Sequence, residues 1–159
     1  MLDSTHKVII NRLQTEISEL TDTHGNLLFK VVNKGVEPTR QQMIDSPACV
    51  LYASDFNFDV DGTGLGTLQT TVSSSYSVIL EIGFLALEKY KAQEDMLDMV
   101  EVLLNKFQGF TYFYTKSGTN KSFQSFITDG SFDDVQTDKE TFFIIQLNIF
   151  CTNIRELFG

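Results

Sequence analysis

The sequence predicts an α+β fold: an antiparallel sheet with a long projecting β-hairpin, packed against two main helices. Three observations carry this. Residues 4–20 and the run "MLDMVEVLLNKF" repeat apolar side chains at helical spacing. Residues 48–60 and 67–87 form two strand-like runs, with apolar and polar side chains alternating, on either side of a glycine-rich turn. The last third holds three strand-like runs.

In the first helix, "STHKVIINRLQTEISEL", Ile9, Leu13, Ile17 and Leu20 share a face, with Asp3 or Ser4 as N-cap. "DTHGN" breaks it, and "LLFKVVNKG" is a strand ending at Gly35. Pro38 and Pro47 bracket a polar connection that leads into "ACVLYASDFNFDV". There the period of two points Val50, Tyr52, Phe56, Phe58 and Val60 one way. Asp55, Asn57, Asp59 and Asp61 point the other. In the return strand Leu68, Thr70, Val72, Tyr76, Val78 and Leu80 alternate with polar residues, so residues 61–66 form the hairpin loop. The second helix shows Met96, Val100, Leu103 and Phe107 on a face, joined by Leu97 and Leu104, and Gly109 stops it. "FTYFYTK", "KSFQSFITD" and "TFFIIQLNIFCTN" are strands, with Asp129-Gly130 as a tight turn. The last strand is apolar on both faces: Phe143, Ile145, Leu147, Ile149 and Cys151 against Phe142, Ile144 and Phe150. It belongs inside a sheet. "IRELFG" reads as a short closing turn.

The 159 residues suit one domain, residues 1–159, with a core of its own. A net charge of −9 argues against nonspecific nucleic-acid binding, which needs cations against phosphate. No apolar run is long enough for a membrane span, and the N-terminal stretch lacks the pattern of a signal peptide. Cys49 and Cys151 both sit in apolar strands; two buried thiols is the reading adopted, with a disulfide as the alternative.

The stretch "FNFDVDGTGLG" offers the only concentration of chemistry. Asn57, Asp59, Asp61 and Gly62 match the first half of a calcium loop, but the closing Glu would fall at Leu68. Gly62, Gly64 and Gly66 lack the Lys-Ser/Thr of a phosphate-binding loop, and no helix follows. His6 and His24 flank the first helix and read as surface residues. No catalytic motif is present, so the expectation is a protein that is not an enzyme and needs neither metal nor cofactor. The carboxylates Asp55, Asp59 and Asp61 then form a solvated polar face. Phe56, Phe58, Val60, Leu68 and Val72 form an apolar side that must be covered, by the domain's own helices or by another subunit.

As a whole the chain resembles the tail terminator proteins of tailed bacteriophages and contractile injection systems. The resemblance rests on the helix "VIINRLQTEISEL", the strand "PACVLYASDF" and the hairpin reaching "YSVILEIGFLAL". It continues through "MLDMVEVLLNKF" and the strand pair "FQSFITDGSF" and "FFIIQLNIFC". The hairpin and the connection "NKGVEPTRQQMIDS" are longer than in compact members of the family. The resemblance implies a structural virion protein that forms a hexameric ring capping the tail tube. Its partners would be copies of itself, the tail tube protein and a head-completion or neck protein. DNA would pass through the channel without specific binding, repelled by acidic residues facing it. The location implied is the virion tail or neck, and the host cytoplasm during assembly. Another neck or head-completion ring component is the alternative in the same setting. A soluble ligand-binding or regulatory α+β domain is the alternative of another class.

Overall fold

The computed structural model describes residues 4–61, 69–116 and 118–158; within these, the side chains of 60–61, 69–72, 116, 119 and 153–158 are outside the description. The described residues form three helices and six strands: α1 (Thr5–Ser18), β1 (Val31–Lys34), α2 (Arg40–Asp45), β2 (Ala48–Asp61), β3 (Gln69–Leu85), α3 (Lys89–Phe107), β4 (Phe110–Lys116), β5 (Thr119–Gln136) and β6 (Thr141–Phe158). The strands form one sheet in the order β1-β2-β3-β6-β5-β4. The fold is α+β as expected, with two corrections. β1 runs parallel to β2, so the sheet is mixed. A third helix, α2, fills the polar connection between Pro38 and Pro47.

Local sequence explains the helix boundaries. Ser4 caps α1, its Oγ accepting from the Lys7 amide at 3.2 Å. Thr39 and Gln42 form a reciprocal capping box at α2. Gly109, at φ +81°, ends α3, and the buried Ser125 hydroxyl donates to the Phe107 carbonyl at 3.0 Å. Just past the helix, the Gln108 side-chain amide donates to the Ile127 carbonyl at 3.0 Å and accepts from the Ile127 N–H at 2.6 Å.

The main core cluster lies on one face of the sheet, while Ala48, Val50 and Phe142 are buried on the other. Ile9, Leu13 and Ile17 of α1, with Met96, Met99, Leu103 and Phe107 of α3, pack on alternate residues of the strands. Those residues include Leu51, Val78, Leu80, Ile82, Phe123, Ile145, Leu147 and Ile149. α1 crosses β1 and β2, and α3 crosses β5 and β6. On α3, Met99 takes a buried place, while Leu97, expected on the apolar face, is 52% exposed. α2 lies against β3, with the Met43 sulfur resting where a side chain at Gly83 would stand.

β2 and β3 pair antiparallel from Ala48↔Gly83 out to Asp61↔Thr71, and residues 62–68 lie outside the description. The expected free-standing two-stranded ribbon needs correcting. β6 pairs with β3 all the way to Gln69↔Phe158, so residues 154–158, expected as a closing turn, extend a strand and the outer half has at least three strands. Gly130 is also no turn: it stands inside β5, opposite Leu147, two residues past a bulge at Thr128.

Candidate functional site

The outer half of the sheet takes its character from one extra residue. Ala53 pairs with Val78 and Phe56 with Tyr76, so Ser54 and Asp55 together oppose Ser77 alone. Such a bulge shifts the side-chain alternation by one. Before it, Cys49 and Leu51 face the helices, and Val50 and Tyr52 face away. After it, Phe56 and Phe58 join the helix face, directly opposite Tyr76 and Ser74. Val50 and Tyr52 thus do not share a face with Phe56 and Phe58, as strict alternation had implied.

Phe56 and Phe58 form a row of rings with Tyr76. Their centroids are 5.8 Å apart, and Phe58 meets Tyr76 edge-on at 5.9 Å. Tyr76 is 8% exposed, Phe58 50% and Phe56 68%, so the row climbs out of the core. The reason is where α1 starts. His6, in its first turn, lies 5.2 Å from the Tyr76 ring and shares a 3.1 Å hydrogen bond with the Ser77 carbonyl. His6 is therefore half-buried and bonded to the sheet, not a free surface residue as expected. His24 is exposed. Among the described residues no helix covers the strands beyond His6. Of the remaining apolar residues assigned to this side, Val60 and Val72 pair with each other through the backbone, with side chains outside the description. Leu68 is wholly outside it.

Asp55 and Asp59 do not converge. Asp55 sits in the bulge, exposed, and accepts from the Ser54 hydroxyl at 3.3 Å. Asp59 is exposed on the face away from the helices, opposite Ser73. Asp61 pairs with Thr71 through the backbone, and its side chain is not described. Among the described residues no group of three or more His, Cys, Asp or Glu is placed to hold a metal ion. Beyond Leu51 the outer side of β2 has no strand partner among the described residues.

Two polar groupings escaped sequence reasoning. Glu16 is buried between Arg12 at 2.6 Å and Lys106 at 2.8 Å, and the Arg12 guanidinium lies 4.1 Å over the Tyr112 ring. The i,i+4 spacing of Arg12 and Glu16 was its one sequence signal. On the opposite face, burial pushes Glu81 above the usual carboxylate range, and the nearby Glu37 carboxylate adds to the shift. Tyr52 is raised by burial and by the same two carboxylates. Both groupings read as structural, since neither opens onto a cleft with a nucleophile.

Cys49 and Cys151 are free and buried. They stand opposite Ile82 and Tyr76, six residues apart along β3, or about 20 Å at the rise of a strand. No disulfide spans that distance. Burial pushes Cys49 well above the ordinary thiol range and Cys151 up to about 12, so neither is a thiolate nucleophile.

Among the described residues no helix is long and apolar enough to cross a membrane. No model of a known protein family matches the chain, and no curated protein sequence does.

Proposed function

We propose that the protein is a structural assembly subunit of the tail-terminator type, one that acts by forming a ring with copies of itself. The single observation that carries this is the aromatic row. Phe56 and Phe58 leave the core at the outer half of the sheet, beside a strand edge that has no partner among the described residues. Exposed aromatic rings beside an open edge are what a protein buries against another protein. Solvent-exposed Asp55 and Asp59 on the same strand keep this half soluble until it docks. In this reading the tail tube protein and a head-completion or neck protein stack on the ring. DNA passes through without specific binding, and the site of action is the virion.

The test is sedimentation of the purified chain, alone and with isolated tail tubes. Ring formation in either sample supports the proposal. A chain that stays monomeric in both and never pellets with tubes overturns it, and favours a soluble binding domain.

A further inference from the structure

At the end of the sheet where β2 begins and β3 ends, α2 and α3 stand apart. The groove between them has a volume of about 720 Å³ and is open to solvent. Apolar residues line it: Met43 and Pro47 from the α2 side, Phe84 from the end of β3, and Met99 and Val102 from α3. Its rim is anionic, formed by Asp22, Asp45, Asp95, Asp98 and Glu101. Five of the fifteen lining residues are carboxylates and none is Lys, Arg or His. The whole chain has 21 carboxylates and 12 Lys or Arg in 159 residues, so the groove is more one-signed than the protein's general acidity requires. Among the described residues no ion pair involves these five. Two of them are held in place by neutral donors. Asp22 accepts from the His24 and Asn26 amides at 2.8 and 3.0 Å, and Asp45 accepts from Gln41 at 2.9 Å.

The α2 wall is adaptable. α2 has no buried residue, and its Met43, a half-buried thioether, fills the space over Gly83. Flexible methionines in a concave apolar surface suit a floor that adjusts to what lies on it. An apolar lining with carboxylates at the rim matches an amphipathic segment with leucine-like side chains on one face and cations along its flanks. Nucleic acid is repelled by the rim. A second copy is a poor occupant, because a chain of net charge −9 brings mostly like charge to it.

We propose that the α2–α3 groove docks an apolar segment flanked by Lys or Arg, in helical form, from a different protein. The groove lies at the far end of β2 from the Phe56–Phe58 row, about 30 Å away by strand rise, so the proposal does not depend on the ring reading.

The probe is a labelled synthetic helical peptide of Leu and Lys, followed by fluorescence anisotropy. It should bind the wild-type chain. Asp95→Lys with Asp98→Lys and Glu101→Lys should weaken binding at least about tenfold, with unchanged circular dichroism, because all three positions are exposed. Val102→Asp should weaken it with the rim intact. In a methyl NMR titration, Met43 and Met99 should shift, and Met96, which lines a different surface, should not. The proposal is overturned if the rim variant binds unchanged, if a peptide with Glu in place of Lys binds equally, or if Met43 and Met99 stay still. It is also overturned if a scrambled Leu–Lys peptide or spermine binds as well, since the floor would then play no part. A rim variant that changes the protein's own oligomeric state would assign the groove to a second copy instead.

Discussion

Gly130 lies against Leu147 across the β5–β6 ladder, so closely that a Cβ on Gly130 would come within 2.5 Å of Leu147 Cδ2 and 3.0 Å of the Gln146 carbonyl oxygen. The backbone contact cannot yield without moving the strand. Gly130→Ala should cost about 1–3 kcal/mol, as overpacking does. At Gly83 the nearest atom is the Met43 sulfur, the far part of a flexible side chain, with Ile144 Cδ1 at 3.3 Å. Gly83→Ala should therefore cost less. Urea melts of the two variants decide it, and an equal or reversed order would refute the packing at Gly130.

Ile145 is 0% and Leu147 3% exposed, both under the helices in the middle of the sheet. Ile145→Asp or Leu147→Asp would bury a carboxylate among the apolar side chains of the core. The cost is several kcal/mol, comparable to the stability of a whole domain. Neither variant should give soluble protein with native circular dichroism; a native spectrum from either would contradict this placement of β6.

The two sides of β2 should respond differently. Phe56→Ser with Phe58→Ser removes half-exposed rings, so the melting temperature of the isolated chain should change little. Assembly, read by sedimentation, should weaken by a few kcal/mol, the scale for losing aromatic anchors at an interface. Asp55→Asn with Asp59→Asn should leave both readouts nearly unchanged, because exposed carboxylates contribute little. Unfolding of the Phe variant would show that the row serves its own fold.

Glu81 has a raised carboxyl pKa in the folded protein, first through burial and then through Glu37. The folded state therefore holds this proton more tightly than the unfolded chain. The stability it contributes is full below the ordinary Glu value and is lost as pH rises through the folded value. Glu81→Gln should then melt higher than the wild type at neutral pH, with the gap closing as the pH falls below the ordinary carboxylate range. Paired thermal melts across that window check it; a gap that widens toward acid would reverse the sign.

The sequence revealed features where pattern is local. The α1 face, the stop at Gly109 and the two apolar faces of β6 all follow from spacing. α2 was also legible, because Thr39 and Gln42 spell a capping box, but two bracketing prolines pointed to a loop. The bulges at Ser54–Asp55 and Thr128 were not legible, since each is defined by its partner strand. Missing the first put Val50 and Tyr52 on the wrong face, and missing the second made Gly130 a turn. The rings of Phe56 and Phe58 were correctly grouped because alternation resumes after the bulge. Their link to the core through Tyr76 and His6 joins residues 70 positions apart in the chain, where no short-range pattern reaches. The parallel β1–β2 pair was hidden for the same reason.

The amide of Gln108 occupies both backbone groups of Ile127. It has the donor and acceptor of one peptide unit and no successor on either side. It therefore fills a single rung of the ladder, immediately before β4 begins at Phe110↔Ser125. For β4 to slip along β5 in that direction, this amide would have to be evicted and both bonds lost. The residue just past α3 thus acts as a locating pin, and the alignment of an edge strand is indexed by where a helix ends.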